Sequence, residues 1–273
     1  MTPQDIIHRN RVAWQRMAGA GHRFSKAARD QEFANPLGSV DGPGWLGGDI
    51  RGWRVLCLAA GGGRQGPIYA AAGGDVTVVD FSPAMLEIDR EVAAERGLQV
   101  RTVETSMDDL SMFSAGQFDL VIQPVSSCYV ADIGTVYREI ARVLRGGGLY
   151  INQHKQPTSL QASLESTADG HCYVIEQSYY SDVPLAPIRT TNLIREPGTY
   201  EYIHRWEQLI GLMCRAGFVI EDLIEPMHAD STAVPNTFPH RSQFIPPYVR
   251  IKARRVRDEG GAGKGTLIGT DQR

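Results

Sequence analysis

Residues 54–88 hold a short apolar run, a turn of small residues, a helix and a second apolar run that ends on an acid, and this order constrains the rest of the 273-residue chain. Val55-Leu56-Cys57-Leu58 has no polar position, the pattern of a strand buried on both faces. Ala59 to Gly63 follow, and glycine in such a turn lets backbone approach a ligand where a side chain would collide. Ile68 to Ala72 is helical in composition; it begins behind Pro67, which suits a first helical turn, and stops at Gly73-Gly74. Val76 to Val79 is the second strand, and Asp80 closes it. Strand, turn, helix, strand and acid in this order make a parallel βαβ unit, which binds a nucleoside beyond its strand ends. Asp80 stands about twenty residues past the turn, where a carboxylate accepts hydrogen bonds from ribose hydroxyls.

The turn reads A-x-G-x-G across Ala59, Gly61 and Gly63, with no third glycine taken into it for close packing at a pyrophosphate, so a dinucleotide is not the expected ligand. The second strand runs into Asp80-Phe81-Ser82-Pro83-Ala84-Met85-Leu86. With these two stretches the chain resembles the class I S-adenosylmethionine-dependent methyltransferases. Their first signature is a strand and an acid-x-G-x-G-x-G turn, and their second is an acid before x-S-x-x-M-L. The second matches closely; in the first, Cys57 stands for the acid and Ala59 for the first glycine. A further match is Arg142-Val143-Leu144-Arg145-Gly146-Gly147-Gly148, similar to the family's R-V-L-K-P-G-G turn into strand five. The resemblance covers roughly residues 53–226.

The resemblance implies an α/β, Rossmann-like fold: a seven-stranded, mostly parallel sheet with one antiparallel strand and helices on both faces. It implies S-adenosyl-L-methionine as cofactor. Ala59, Ala60, Gly61 and Gly63 would surround its methionine end, Asp80 its ribose, and Phe81 and Met85 would lie beside it. Ser106, Met107 and Asp108 would meet the adenine, and Pro124, at the end of strand four, would lie near the sulfonium. No N/D-P-P-Y/F run follows strand four, which disfavours the device that the family's DNA and protein amine methyltransferases use.

Composition sets outer limits. One α/β domain with insertions is the economical organisation for this length, and 42% hydrophobic with 22% charged residues is ordinary for a globular chain. A net charge of -3 gives no electrostatic reason for a nucleic-acid or anionic-membrane partner. Met1 to Asn10 lacks the apolar core of a signal peptide, and no apolar run reaches membrane-spanning length. Cys57, Cys128, Cys172 and Cys214 are widely spaced, so the expectation is free thiols in a reducing cytoplasm and no metal site.

Residues 1–34 are expected to be mostly helical with a break near Gly19 and Gly21, and 35–52 a loop; the resemblance implies that residues 1–52 fold over the cofactor as a lid, with Trp14 a candidate wall for its methionine end. The methyltransferase domain would span 53–255. Within it, helices are expected from Met85 to Arg96, Thr135 to Leu144 and Glu201 to Ala216. Strands are expected at Leu98–Val103, Phe118–Pro124, Leu149–Asn152 and Phe218–Pro226, with an antiparallel strand within Phe244–Ala253. An insertion over about 153–200 would form a β-hairpin from Cys172–Tyr180 and Ile188–Arg195. Residues 256–273 would be a disordered tail.

A sulfonium already makes its methyl group electrophilic, so the protein mainly aligns an in-line attack, and an oxygen or carbon acceptor gains from a base. His154, just past strand five, is the first catalytic candidate, ahead of Tyr129 and His204. The reading is a methyltransferase acting on a small-molecule acceptor in an enclosed pocket, as a monomer or homodimer. An NAD(P)-binding oxidoreductase and a non-catalytic S-adenosylmethionine-binding protein are the alternatives.

Overall fold

The computed structural model describes residues 1–22, 25–190 and 192–257, so most of the expected disordered tail lies outside the described residues. Seven strands form one sheet: β1 Arg54–Leu58, β2 Asp75–Asp80, β3 Val100–Glu104, β4 Phe118–Gln123, β5 Leu144–Lys155, β6 Phe218–Ile224 and β7 Tyr248–Arg255. Their order is β3-β2-β1-β4-β5-β7-β6, with β7 antiparallel to both neighbours. Strand order reverses between β1 and β4, and the crevice outside the carboxyl ends at such a reversal is where open α/β sheets bind ligands. Pro246 and Pro247 precede β7, where their missing N–H groups cost no ladder bond.

The helices are α1 Pro3–Gly19, α2 Asp30–Ala34, α3 Pro36–Val40, α4 Gln65–Ala71, α5 Pro83–Glu95, α6 Ile133–Val143, α7 Pro157–Gln161, α8 Leu212–Arg215 and α9 Phe238–Arg241. A π-turn over Glu207–Gly211 runs directly into α8. Alternation along the strands divides the core. Leu56, Leu58, Val121, Tyr150, Val249 and Ile251 pack on the face covered by α6 and α8, while Val55, Cys57, Val76, Val78, Leu120 and Leu149 pack with Leu46, Ile50 and Tyr69 on the other. Every residue of β1 after Arg54 is buried, as its unbroken apolar run requires.

Local chemistry moved several boundaries. Asn35 caps a short helix inside the expected loop, its Oδ1 accepting from the Gly38 amide at 3.3 Å. The Asp132 carboxylate accepts from the Gly134 and Thr135 amides at 2.9 and 3.2 Å, which starts α6 two residues early. β5 is twelve residues long instead of four and extends to Lys155.

Among the described residues the expected β-hairpin is absent. Cys172–Tyr180 and Ile188–Arg195 do not pair with each other, and single bridges join Ala162 to Ile175, Leu185 to Glu201 and Ile188 to Pro197. Side chains take the backbone groups that a ladder would use: Asn192 Oδ1 accepts from the Ile194 and Arg195 amides at 3.0 and 2.7 Å, and Thr167 Oγ1 accepts from the Cys172 amide at 3.1 Å. Prolines at 184, 187 and 197 remove donors as well. The segment has its own small core of Leu160, Ile194 and Ile203.

A buried charge cluster fastens this segment to the sheet. Lys155 Nζ donates to Glu196 Oε2 at 2.7 Å and to Glu201 Oε2 at 2.8 Å, and Arg195 Nε donates to Glu201 Oε1 at 3.1 Å. Two cations against two carboxylates balance, which is the condition for keeping such groups out of water.

Candidate active site

The glycine turn is built by close approach. β1 ends at Leu58 and the chain turns at Ala59, which adopts φ 47°, a left-handed conformation that costs an L-residue roughly 1–2 kcal/mol. The Gly61 amide donates to Asp80 Oδ2 at 3.0 Å, and a Cβ on Gly61 would come within 2.7 Å of Met85 Cβ. Asp80 Oδ1 accepts from the Ser82 amide at 2.9 Å. Burial pushes the Asp80 carboxyl up to about 6, against the lowering effect of its backbone hydrogen bonds.

The sequence reading passed over Gly66. It completes a G-x-G-x-x-G spacing with Gly61 and Gly63 and marks where α4 packs closest on β2, since a Cβ there would meet Val78 Cγ2 at 2.4 Å. The absence of a third glycine is therefore not what separates this site from a dinucleotide site. The sheet does so, because β7 is inserted antiparallel between β5 and β6, whereas the dinucleotide fold runs 3-2-1-4-5-6.

Cys57, where the resembled family has an acid, is wholly buried, and burial raises its thiol well above the ordinary value. A carboxylate reaches the turn from another element. Asp89 of α5 is also wholly buried, and its Oδ2 accepts from the Gly62 amide at 2.8 Å. Burial lifts Asp89 to about 7, and its Oδ1 has no hydrogen-bond partner among the described residues.

Beyond the turn lies a cavity of about 560 Å³, within the roughly 300–1,000 Å³ of small-molecule sites. Ala59, Ala60, Gly61, Asp80, Phe81, Met85, Ser106, Met107 and Pro124 all line it; Gly63 and Asp108 do not. Gly63 instead accepts the Ala28 amide at 3.0 Å through its carbonyl, tying the N-terminal segment to the turn. Gln123, missed from sequence, lines the cavity and bridges strands: its Oε1 accepts from the Tyr150 hydroxyl and its Nε2 donates to Ser126 Oγ at 3.1 Å. Trp14 of α1 lines the cavity and meets Tyr129 edge-on at 5.8 Å between centroids.

The three catalytic candidates separate. Tyr129 lines the cavity, and its hydroxyl donates to Glu196 Oε2 at 2.7 Å; Glu196, missed from sequence, lines the cavity too. Burial raises the Tyr129 phenol well above its ordinary value, and the Glu196 charge adds to this. His154 lies outside the lining. Its Nδ1 is 2.6 Å from Ser127 Oγ and its Nε2 3.3 Å from the Tyr137 hydroxyl, and burial presses the ring down to about 3. His204 is also outside, donating from Nε2 to the Ser127 carbonyl at 3.0 Å, with burial lowering it to about 4. Both imidazoles are neutral packing groups behind the 3-10 turn Ser127–Tyr129.

Comparison with known proteins agrees with this geometry. Residues 56–152 match a family model described as a methyltransferase domain. The chain is 33% identical over 232 residues to the protein named "Uncharacterized methyltransferase YbaJ" of Bacillus subtilis (strain 168), a match covering 81% of this chain and 90% of the relative. The chain belongs to the S-adenosylmethionine-dependent methyltransferases. This methyltransferase is also 34% identical over 103 residues to a ubiquinone biosynthesis O-methyltransferase of Bordetella avium (strain 197N), which covers 38% of this chain and 43% of that one. Among solved structures it resembles an S-adenosylmethionine-dependent methyltransferase from Mesorhizobium loti, with TM-score 0.63 at 22% identity over 81% of this chain and 100% of the other. It also resembles a geranyl diphosphate C-methyltransferase from Streptomyces coelicolor A3(2), with TM-score 0.55 at 18% identity over 81% and 80% of the two chains.

The methyltransferase is therefore an enzyme of the class I fold with S-adenosylmethionine as its cofactor. The residues present fit that cofactor: bare glycine backbone beside the Asp80 carboxylate is the cradle that a Cβ would fill. Among the described residues no helix is long and apolar enough to cross a membrane, no group of His, Cys, Asp and Glu could hold a metal ion, and all four cysteines are free thiols.

Proposed function

We propose that this methyltransferase transfers a methyl group to a small-molecule acceptor carrying an oxygen, nitrogen or carbon nucleophile, with Tyr129 and Glu196 handling the acceptor proton. The observation that carries the reading is the wall of the cavity. α1 contributes Ile7 and Trp14, and the segment after β5 contributes Glu196, so two stretches far apart in the sequence cover the site. Asn10 locks the two together: its Oδ1 accepts from the Tyr200 amide at 2.8 Å and its Nδ2 donates to the Tyr200 carbonyl at 3.0 Å. An enclosed cavity suits a small acceptor better than a polymer.

Bound S-adenosylmethionine supplies the methyl group, made electrophilic by its sulfonium. Asp80 would accept from the ribose hydroxyls, Ser106 and Met107 would bound the adenine, and the backbone from Ala59 to Gly62 would receive the methionine end. The acceptor proton passes to Tyr129 Oη as the Tyr129 proton moves to Glu196, along the 2.7 Å hydrogen bond already in place. Lys155 holds Glu196 in position at 2.7 Å.

The test incubates the protein with S-adenosylmethionine and separate panels of phenols, amines, carbon acids, a protein mixture and nucleic acid, and follows release of S-adenosylhomocysteine. Turnover with a small acceptor is expected, and Tyr129→Phe and Glu196→Gln should each lower kcat by about 10²-fold or more while leaving cofactor affinity in place. Turnover only with a polymer, or full activity in both variants, contradicts the proposal.

A further inference from the structure

The cavity carries a positive group that its own fold leaves without a counter-charge. Arg250 of β7 is partly buried and lines the cavity; its Nε and Nη2 donate to Gln153 Oε1 at 3.2 and 2.9 Å, both bonds to a neutral oxygen. Among the described residues it makes no ion pair. Asp41 is the carboxylate whose charge it feels, and that carboxylate is occupied by the Trp45 and Leu46 amides, each at 2.8 Å. Burial lowers the Arg250 guanidinium from its ordinary value, and the positive charge of Arg64 lowers it further.

Arg64 lines the same cavity, with its Nε and Nη2 on one oxygen of Glu32 at 3.0 and 2.8 Å. The Tyr69 hydroxyl feels the charge of both cations. Tyr69 is 3% exposed as a residue and lines the cavity. Burial raises that phenol far above its ordinary value, while the charges of Arg250 and Arg64 oppose the rise. Two guanidiniums that repel each other on one cavity wall, with a phenol hydroxyl in the same lining, form an arrangement that an anion relieves.

The lining offers no such anion itself. Its carboxylates are Asp80, bonded to the Gly61 and Ser82 amides, and Glu196, bonded to Lys155 and Tyr129. For Arg250, position points to the acceptor rather than the cofactor, while Arg64 reaches the same cavity from the end of the glycine turn. The cofactor residues lie on β1, β2 and the ends of β3 and β4, whereas Arg250 comes from β7, two strands beyond β4, or about 10 Å at the usual strand spacing.

We propose that the acceptor of this methyltransferase is an anionic molecule whose carboxylate or phosphate is held by Arg250 together with Arg64 and the Tyr69 hydroxyl. The proposal rests on the small-acceptor reading above. It makes Arg250 a specificity residue: the ion pair fixes one end of the acceptor and presents the other to Tyr129. The chemistry is shared by carboxylates and phosphate esters, so the experiment uses one probe of each kind.

Wild-type protein is first titrated with S-adenosylhomocysteine and then, when saturated, with benzoate and with phenyl phosphate. Arg250→Gln, Arg250→Lys and Tyr69→Phe are treated in the same way. At least one probe is expected to bind the loaded wild-type protein with Kd of about 1 mM or tighter. Arg250→Gln should weaken that probe about tenfold or more, Arg250→Lys less, and Tyr69→Phe by an intermediate factor, with S-adenosylhomocysteine affinity held within about twofold in all three. The probe that binds tells carboxylate from phosphate. Absence of binding by both probes overturns the proposal, as does equal binding to Arg250→Gln. A tenfold loss of S-adenosylhomocysteine affinity in Arg250→Gln also overturns it, because the guanidinium then holds the cofactor's own carboxylate. If wild-type protein binds no S-adenosylhomocysteine, it is the methyltransferase reading of the cavity that fails, a result distinct from all of these.

Discussion

Replacing Lys155 by methionine removes the ammonium between two carboxylates and leaves a neutral side chain of similar length. The Lys155 side chain is 2% exposed, and those of Glu196 and Glu201 are 5% and 0% exposed, so no water replaces it. Glu201 keeps Arg195 at 3.1 Å and Glu196 keeps the Tyr129 hydroxyl at 2.7 Å, yet the cluster changes from balanced to a net charge of minus one. Removing one partner of a buried pair costs about 3–5 kcal/mol because the remaining charge is stranded. That is a large share of the roughly 5–15 kcal/mol that holds a domain folded. In thermal unfolding it corresponds to a fall in Tm of roughly 6–20 °C for a chain of this size. Adding Glu201→Gln to Lys155→Met takes away the surplus negative charge and should return at least about half of the loss. Circular dichroism melts at matched pH and salt provide the comparison. A single-variant loss below about 1 kcal/mol, or no recovery in the double variant, refutes the claim that this cluster is a charge-balanced fastener between β5 and the segment after it.

Three further outcomes are expected. Asp80 and Asp89 titrate near 6 and 7 in the folded chain against 3.8 as ordinary carboxyls, so between these values the native state binds more protons than the unfolded one. Stability of the ligand-free protein should therefore fall as pH rises from about 4 to 7, and Asp89→Asn should flatten the upper part of that slope in urea titrations read across pH. Cofactor binding should run the opposite way, because ionised Asp80 is the better acceptor; S-adenosylhomocysteine affinity should weaken as pH drops below about 6, and Asp80→Asn should erase the dependence. Gly66→Ala should destabilise the fold by about 1–3 kcal/mol, since its Cβ would sit 2.4 Å from Val78 Cγ2, and an unchanged melting temperature would contradict the close helix-to-strand packing.

The βαβ core was legible because each of its signals is local. An unbroken apolar run, a cluster of glycines and an acid at a strand end lie within 35 residues, and the structure places Asp80 against Gly61 as that spacing requires. The rest depended on contacts between distant residues. Glu196 and Lys155 are 41 positions apart, and Glu196 follows directly on Ile188–Arg195, a stretch that reads as a strand. His154 was chosen because strand ends face the crevice. β5 continues past that level, and its alternation sets His154 with Tyr150 on the α6 face, where Ser127 and Tyr137 enclose it. Arg250 is one charged residue within the expected antiparallel strand; the sheet order and the cavity lining show that it stands beside β5 and faces the cavity. The acid missing at Cys57 was visible in the sequence, whereas its replacement by Asp89 was not, because α5 had to be folded back beneath the turn first.

Calorimetric titration of S-adenosylhomocysteine into the wild-type protein and into Asp80→Ala tests the central claim most directly. The account expects wild-type affinity in the micromolar range, about -8 kcal/mol, and a loss of about 100-fold or more in the variant, because two hydroxyl donors lose a charged acceptor worth roughly 1.5–3 kcal/mol for each bond. No binding to the wild-type protein, or equal binding to both proteins, would contradict it.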